Sequence, residues 1–259
     1  MQQSNVATRL YRILHILIHT IVGLTIAAFV LPFIKKNTTL HLIKWWCGGL
    51  LRAFNIRVIT YGNVPTPNTH GVMFVANHIS WSDIHALNSL IPLRFIAKSD
   101  IQDWPVFGYL VQKANTLFID RNKRQEAGRI VKITAESLNA GDNLCFFPEG
   151  TTTDGTGSAT NGSESALVLP FKGSVLQAAI NANTHVWPVA IRYINADGSI
   201  NPNMAYAGDT SLIESMHQVL MQKKPVVELH FLQPISTHGQ NRRDLTQAAY
   251  NAILNCLSS

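Results

Sequence analysis

The sequence predicts an α/β fold, in which helices flank a central, mostly parallel sheet and an N-terminal membrane-associated helix pair precedes this domain. Three observations lead to this prediction. After residue 55, short runs of β-branched and aromatic residues alternate with helical patterns. Several of those runs are apolar throughout, as in strands buried on both faces. The apolar excess lies mainly in the first 54 residues. We therefore expect anchoring helices in residues 1–54 and one α/β domain in residues 55–259.

The N-terminal part begins with a charge-free run from Ile13 to Ile34, bounded by basic residues on both sides. As a single helix this run would extend roughly 33 Å, close to the hydrocarbon thickness of a bilayer. No small-residue cleavage signature follows it, which argues against a secretory signal peptide. A second apolar segment, Leu40–Phe54, carries Trp45 and Trp46 beside basic residues, as is typical of the headgroup region. This segment is either an amphipathic helix packed on its own domain or part of a pair that dips into the membrane. Whether the first helix crosses both leaflets is open.

The pattern of the α/β part predicts seven strands, with helices between most of them. The strands, in chain order, are IRVITY, GVMFVA, LRFIA, TLFID, LCFF, VWPVAIRY and VVELHFL. The helices are DIHALNSLI, PVFGYLVQKA, RQEAGRIVKITAESLNAG, SVLQAAINAN and the C-terminal RRDLTQAAYNAILNCL. A polar segment rich in Gly and Ser, Thr151–Ser165, predicts a long surface loop. A loop of that length beside a buried strand is either disordered or functional.

Composition limits the classes of partner. A net charge of +6 and a pI near 9.3 favour an anionic partner, such as a membrane surface, a phosphorylated lipid, coenzyme A or nucleic acid. The basic residues are scattered and form no stripe interleaved with aromatics, which argues against nucleic acid. No G-x-S-x-G elbow is present, which argues against a serine hydrolase. The three cysteines are widely spaced in apolar contexts, so we expect reduced, packed thiols and no metal site.

The stretch FVANHISWSDIHAL contains a candidate catalytic pair. His78 follows the predicted strand GVMFVA at its carboxyl end, where ligands bind in open α/β sheets. Asp83 lies five residues later, and one regular helix would set the two side chains about 140° apart, so they meet only if the chain turns. If they meet, Asp83 binds one ring nitrogen and leaves the other as a base. The alternative is that Ser80 and Asp83 form an ordinary capping box.

Four ordered motifs carry a family resemblance. The segment NHISWSDI resembles the first motif of the glycerolipid acyltransferase superfamily, which includes the lysophosphatidate acyltransferases. The segments TLFIDR, FFPEGTTTDG and VWPVAI resemble its second, third and fourth motifs, and LPFKGSVLQAAINA is similar to the usual connection between the last two. The resemblance covers about Asn63 to Tyr193, and four ordered motifs are more specific than any one of them.

The resemblance implies a reaction in which an acyl chain passes from an acyl thioester, on coenzyme A or acyl carrier protein, to a hydroxyl group of a lysolipid. His78 would act as the general base on that hydroxyl, and Asp83 would fix the imidazole tautomer and stabilise the imidazolium. The reaction requires neither a covalent acyl-enzyme nor a cofactor. The expected partners are membrane lipids, the lysolipid acceptor and the acyl donor. We expect the protein at a bacterial inner membrane, with its active domain facing the cytoplasm.

The same resemblance assigns acceptor binding to residues that follow the other strands. Arg121 could hold a phosphate with its planar fork, and Lys98 is a second candidate; otherwise each is a solvated side chain at a strand end. Glu149 either binds the polar end of the acceptor or organises the turn that it begins. Gly150 lets the backbone approach a ligand, and Thr151 follows it in the motif.

Thr152 departs from the usual lysophosphatidate acyltransferase pattern, in which an arginine directly follows Glu-Gly-Thr. Threonine offers one neutral donor where arginine offers five charged ones. The favoured function is a membrane-bound lysolipid O-acyltransferase acting on a lysophosphatidate-type acceptor. One alternative is the same chemistry on a phosphate-free lysolipid such as lyso-ornithine lipid, whose acyltransferase branch the threonine resembles. Another alternative is a non-catalytic membrane protein that binds lipid.

Overall fold

The computed structural model describes residues 3–120, 124–157 and 166–259, without the side chain of Arg124. In these residues eight strands form one sheet. The strands are β1 (Arg57–Gly62), β2 (Met73–Ala76), β3 (Arg94–Lys98), β4 (Leu117–Ile119), β5 (Leu144–Phe146), β6 (His185–Ile194), β7 (Val226–Phe231) and β8 (Ile235–Ser236).

The strand order is β1-β7-β6-β2-β5-β3-β4, and β8 pairs with β6. The five strands from β6 to β4 are parallel to one another, whereas β7 is antiparallel to β6 and parallel to β1. The predicted α/β class and mostly parallel sheet are confirmed. The short β8 and the reversed direction of β1 and β7 were not predicted, because a residue pattern does not encode strand direction.

The helices are α1 (Val6–Phe29), α2 (Lys36–Phe54), α3 (Ser82–Leu90), α4 (Phe107–Lys113), α5 (Arg124–Asn139), α6 (Gln177–Asn181), α7 (Leu212–Met221) and α8 (Arg242–Ser258). Helix α7 was missed in the sequence, although its start carries a capping box. The Ser211 side chain accepts from the Glu214 amide, and the Glu214 carboxylate accepts from the Ser211 amide.

The sheet separates two apolar layers. Buried side chains of α2, α3 and α7 pack on one face together with Phe74, Ile191 and Phe231. Buried side chains of α5, α6 and α8 pack on the other face around Met73 and Val75. Strand β2 lies at the centre, and all four of its residues are buried. It is covered on both faces of the sheet and flanked by β5 and β6.

The charge-free N-terminal run is not one helix. Helix α1 starts earlier than the run, at an N-cap where the Asn5 side chain accepts from the Thr8 amide, and it ends at Phe29. A short 3₁₀ turn, Leu31–Phe33, follows and contains Pro32, which lacks the amide needed to continue an α-helix. Helix α2 then returns beside α1.

Two reciprocal contacts lock α1 to α2. The His19 ring donates from Nε2 to the Trp46 carbonyl at 2.8 Å, and the Trp46 indole donates to the His19 carbonyl at 3.2 Å. Each ring faces a glycine of the opposite helix. A Cβ atom on Gly23 would collide with the Trp46 indole, and one on Gly49 would collide with the His19 imidazole. The two glycines therefore permit the close approach.

Helix α1 also lies against the α/β domain along its length. Near its start, Arg12 is buried and donates to the carbonyls of Gln222 and Lys223 at 2.7 and 2.8 Å. Toward its end, Ala27 is buried. In the described residues, one helical segment, Val6–Phe33, is long and apolar enough to cross a membrane. The outer face of α1 exposes Leu10, Tyr11, Ile13, Leu14, Leu17, Ile18, Ile21 and Val22.

Candidate active site

The end of strand β2 is held in place by its own next residue. Asn77 is fully buried, and its side-chain amide donates to the Ile191 carbonyl at 2.9 Å and accepts from the Ile191 amide at 2.7 Å. This paired contact fixes the chain between β2 and β6 at the point where the two parallel strands separate. His78 therefore leaves the sheet in a defined direction.

His78 and Asp83 meet, as the sequence analysis expected if the chain turned. The Nδ1 atom of His78 lies 2.8 Å from the Oδ2 atom of Asp83. A carboxylate only accepts, so Nδ1 carries the proton and Nε2 has a free lone pair. In the described part of the chain no hydrogen bond occupies Nε2, and the His78 side chain is 19% exposed while Asp83 is 0% exposed. This arrangement suits a general base.

Asp83 also accepts hydrogen bonds from two backbone amides. The same oxygen, Oδ2, binds the amides of Ile79 and Ser80 at 2.8 and 2.9 Å, and so closes the turn that brings His78 back toward α3. The cap that the sequence predicted therefore exists in a modified form, with the carboxylate reaching back to Ser80. The contact with His78 and the cap therefore share one side chain, that of Asp83.

The second oxygen of Asp83 has its own partner. The Tyr193 hydroxyl on β6 donates to Asp83 Oδ1 at 2.6 Å, and Ser82 Oγ lies 2.7 Å from the same phenol oxygen. Tyr193 is 1% exposed. Burial, with the charge of Asp83, raises the pKa of the Tyr193 phenol, so it keeps its proton. Sequence analysis did not identify Tyr193 as a site residue.

Phe147 is a further site residue that the sequence did not reveal. Its ring stacks on the His78 imidazole with centroids 3.9 Å apart and planes 9° apart. Phe147 directly follows β5, the neighbour of β2 in the sheet. The stack restricts rotation of the imidazole about its Cβ–Cγ bond, which keeps Nδ1 directed at Asp83.

Glu149 lies beneath the site and does not line the cleft. Its Oε1 accepts from the His78 amide at 2.6 Å, and its Oε2 accepts from the Leu169 amide at 2.7 Å. Burial raises the pKa of Glu149 to about 8, although both amide hydrogen bonds lower it. Of the two roles considered for Glu149, the geometry supports the organiser of the turn, because both carboxylate oxygens are already bound to backbone.

A cleft with a volume of about 410 Å³ opens beside His78. It is lined by Lys98 and the Gly150-Thr151-Thr152 turn, whose predicted role in binding the acceptor stays a prediction. Asp100 lines it as well and was not predicted. Arg121 falls outside the described residues, so its predicted role in binding the acceptor stays a prediction. The same is true of residues 158–165 in the predicted surface loop.

Thr152 is occupied by a contact within the protein. Its hydroxyl donates to the carbonyl of Tyr206, and Tyr206 lines the same cleft. The position that carries arginine in the usual lysophosphatidate acyltransferase pattern therefore ties two walls of the cleft together. Among the described residues that line the cleft, Lys98 is the one cation.

A second cavity, with a volume of about 160 Å³, adjoins the cleft and is almost wholly apolar. The two share wall residues, namely Ile84, Phe95, Ala97 and Ile101. The far walls come from α1, α2 and α4. His85 is part of the lining, and burial lowers its pKa to about 4, so its ring is neutral near pH 7.

Two further features concern metal ligands and thiols. In the part of the chain that the structure describes, no group of three or more His, Cys, Asp or Glu side chains could hold a metal ion. Cys145 is buried in β5, and burial raises the pKa of its thiol, which makes it a poor nucleophile.

Comparison with known proteins finds a matching family, similar relatives and a solved structure with a similar fold. Residues 55–192 match the family described as Acyltransferase. The chain is 35% identical over 213 residues to a lyso-ornithine lipid O-acyltransferase of Pseudomonas aeruginosa, covering 82% of this chain and 77% of the relative. It is 36% identical over 184 residues to a 1-acyl-sn-glycerol-3-phosphate acyltransferase of Neisseria meningitidis, covering 71% and 68%. The crystal structure of the 1-acyl-sn-glycerophosphate acyltransferase of Thermotoga maritima superposes with a TM-score of 0.68 at 19% identity, over 98% of this chain and 95% of that one.

Proposed function

Because the chain belongs to the acyltransferase family, we propose that it is a membrane-bound lysolipid O-acyltransferase in which His78 and Asp83 form the catalytic dyad. The observation that carries this proposal is the 2.8 Å contact between His78 Nδ1 and Asp83 Oδ2, with Nε2 left free beside an open cleft. The family relationship supports the reaction class, and the geometry supports the choice of residues.

In the proposed mechanism, His78 Nε2 takes the proton of the lysolipid hydroxyl as its oxygen attacks the thioester carbonyl. The tetrahedral intermediate then collapses, the carbon–sulfur bond breaks, and the thiolate receives the proton from the imidazolium. Asp83 stabilises the imidazolium between these two steps. General-base assistance of this kind contributes about 10²–10⁴ in rate.

We propose that the apolar cavity takes the acyl chain of the thioester donor. Its shared walls with the His78 cleft let the thioester carbon reach His78 while the chain extends toward α1 and α2. A neutral His85 and apolar side chains suit a hydrocarbon, because burying apolar surface there stabilises the complex. The donor is either acyl-CoA or acyl carrier protein.

The first candidate acceptor is a lysophosphatidate-type lipid. Lys98 in the cleft and the predicted contribution of Arg121 would hold its phosphate. The relative in Neisseria meningitidis, which is named for this acceptor, supports this candidate.

The second candidate acceptor is a phosphate-free lysolipid such as lyso-ornithine lipid. Thr152 favours it, since the hydroxyl binds the Tyr206 carbonyl and no guanidinium is present at that position. Lys98 and Asp100 line the same cleft, and one cation with one carboxylate suits a zwitterionic headgroup better than a phosphate dianion. The Pseudomonas aeruginosa relative carries the name of this acceptor.

We propose that α1 and α2 place the enzyme in one leaflet. The inner side of α1 is held by the domain from Arg12 to Ala27, so a vertical span would require these contacts to break. The exposed apolar face of α1 instead suits an orientation parallel to the membrane plane. In this orientation the cavity walls formed by α1 and α2 lie next to the lipid.

The test is acyl transfer by the detergent-purified protein from one labelled acyl-CoA, with lysophosphatidate and a lyso-ornithine lipid offered side by side. Transfer that depends on His78 supports the reaction, and the preferred acceptor decides between the candidates. If neither is acylated, the assay is repeated with acyl carrier protein as the donor carrier. Absence of transfer from both donors would reject the enzyme in favour of the lipid-binding alternative.

A further inference from the structure

We propose that Tyr193 is a positioning residue for the dyad, which holds the Asp83 carboxylate in place and limits the negative charge that Asp83 presents to the His78 imidazole. This inference rests on the proposed function and extends it. Tyr193 does not line the His78 cleft, so it acts through Asp83 and does not touch the substrate.

The hydrogen bonds of Asp83 divide unevenly between its two oxygens. Oδ2 receives three donors, from the His78 ring and the amides of Ile79 and Ser80. In the described residues, Oδ1 accepts a hydrogen bond from the Tyr193 hydroxyl at 2.6 Å. Because Asp83 is fully buried, removing that hydroxyl leaves half of a carboxylate without a partner or water.

The phenol is well suited to hold a carboxylate. Tyr193 belongs to β6, which pairs with β2 on one side and β7 on the other, so its backbone has little freedom. Its ring is packed in the buried layer beneath α3, and the hydroxyl projects to the first turn of that helix. The Ser82 hydroxyl, 2.7 Å from the phenol oxygen, can donate to it while the phenol donates to Asp83.

The negative charge of Asp83 is therefore shared between two side-chain hydrogen bonds, one from the Tyr193 hydroxyl and one from the His78 ring. The hydrogen bond from the Tyr193 hydroxyl draws negative charge toward Oδ1. Less negative charge is then left on Oδ2, the oxygen that binds the His78 imidazole. A stronger hydrogen bond from Tyr193 makes the imidazolium of His78 less stable. Removing that hydrogen bond makes the imidazolium more stable. Tyr193 therefore limits the negative charge that Asp83 presents to the His78 imidazole.

Other titratable groups surround the dyad in the described residues. Glu149 lies beneath the His78 backbone, and Cys145 and His85 face Asp83 from β5 and α3. Lys98, Asp100 and Tyr206 line the cleft that His78 opens into. All of them are unchanged in a Tyr193→Phe variant, so a difference from the wild type isolates the hydroxyl.

The experiment compares wild type, Tyr193→Phe and Tyr250→Phe in the acyl-transfer assay across pH. Tyr250 is the matched control, because its hydroxyl donates to the Val168 carbonyl at 3.4 Å, away from the dyad. For Tyr193→Phe we expect kcat to fall about tenfold to a hundredfold, the loss that is typical when the hydrogen-bond partner of a metal-ligating side chain is removed. The KM values for both substrates should stay within about twofold of the wild type. The acidic limb of the kcat/KM profile should move to higher pH by about half a unit or more.

Each result has a defined meaning. A folded Tyr193→Phe protein with wild-type kcat and an unmoved acidic limb overturns the proposal, because a merely structural role changes stability alone. If Tyr193→Phe does not fold, Ser82→Ala takes its place and should move the limb in the same direction by less; an unmoved limb there is equally decisive. Wild-type protein without His78-dependent transfer rejects the proposed function itself, which keeps the two failures apart.

Discussion

The carboxylate of Glu149 binds the backbone amide of His78 at 2.6 Å, so the third sequence motif holds the first in position. The contact joins the ends of two adjacent strands, β2 and β5. With the Leu169 amide on its other oxygen, Glu149 fastens three chain segments together. The His78 backbone is therefore fixed from below by a side chain that lies outside the cleft.

The first prediction concerns Glu149→Gln. Glutamine has one acceptor oxygen where the carboxyl group has two, so one buried amide loses its partner, and we expect a loss of about 1–3 kcal/mol in the free energy of unfolding. Burial raises the Glu149 pKa from 4.5 to about 8, so between these values the folded protein binds more protons than the unfolded chain. Wild-type stability therefore falls as pH rises through this window, whereas the variant lacks that contribution. Thermal unfolding of both proteins at pH 5 and pH 8 should show a smaller deficit at pH 8, and a constant deficit would contradict the assignment.

The second prediction concerns His78→Ala. Removing the base should lower turnover at least about a hundredfold and leave the fold intact, because the ring is partly exposed at the edge of the cleft. His238→Ala, on an exposed turn, is the matched control and should retain wild-type turnover. Initial rates of labelled acyl transfer and the unfolding temperature are measured for both. Near-full activity in a folded His78→Ala protein removes the dyad from the mechanism.

The third prediction concerns the position after Glu-Gly-Thr. Thr152→Arg introduces a guanidinium into the cleft, and charge-assisted hydrogen bonds to phosphate should raise the preference for lysophosphatidate over a phosphate-free acceptor about tenfold. Thr152→Val is the control, because it removes the hydroxyl bound to the Tyr206 carbonyl without adding charge. The ratio of kcat/KM for the two acceptors is the readout. An equal change of that ratio in both variants would mean that acceptor preference depends on the hydrogen bond between Thr152 and Tyr206, and not on the added charge.

The fourth prediction concerns the outer face of α1. Leu14 and Ile18 are 57% and 52% exposed, and replacing both with aspartate should abolish most vesicle binding, since charge is costly at the depth of the acyl chains. Val64→Asp, in the loop after β1, is an exposed apolar control and should bind as the wild type does. Co-sedimentation with phospholipid vesicles measures the effect. Unchanged sedimentation of the doubly substituted protein would show that another surface holds the membrane.

The fifth prediction concerns the apolar cavity. Cys47 is buried on α2 and lines the cavity, so Cys47→Phe should fill part of it and shift the preferred donor toward shorter acyl chains. Cys256→Phe adds the same ring outside the cavity and serves as the control. A panel of acyl-CoA donors of increasing length gives the profile. An unchanged profile in a folded Cys47→Phe protein would place the acyl chain elsewhere.

The sequence predicted those parts of the molecule that depend on neighbours along the chain. Apolar runs located all the strands of the sheet except β8, and the end of GVMFVA located His78. The dyad itself was within reach because Asp83 is only one turn away. Helix α7 was missed although Ser211 and Glu214 signalled its start.

The rest of the site depends on neighbours across the sheet. Tyr193 meets Asp83 from 110 residues away and Glu149 meets His78 from 71 residues away, so neither contact leaves a local pattern. Both require the order β6-β2-β5, which composition does not encode. Without that order, Glu149 resembled a ligand for the acceptor, and Tyr193 resembled any other buried aromatic residue of a strand.

The attachment of α1 has a consequence for how the protein is made. Ser4 donates to the Leu220 carbonyl, a contact that spans 216 residues, whereas α1 and α2 are adjacent in the chain and can pair early. We therefore expect the helix pair to form during synthesis before the segment that covers its inner side is made. In this state the exposed apolar face of α1 has no α/β domain beside it, and a lipid bilayer is a suitable solvent for that face. With the membrane attachment proposed above, we expect attachment to precede completion of the α/β domain, so that the sheet assembles beside the lipid surface.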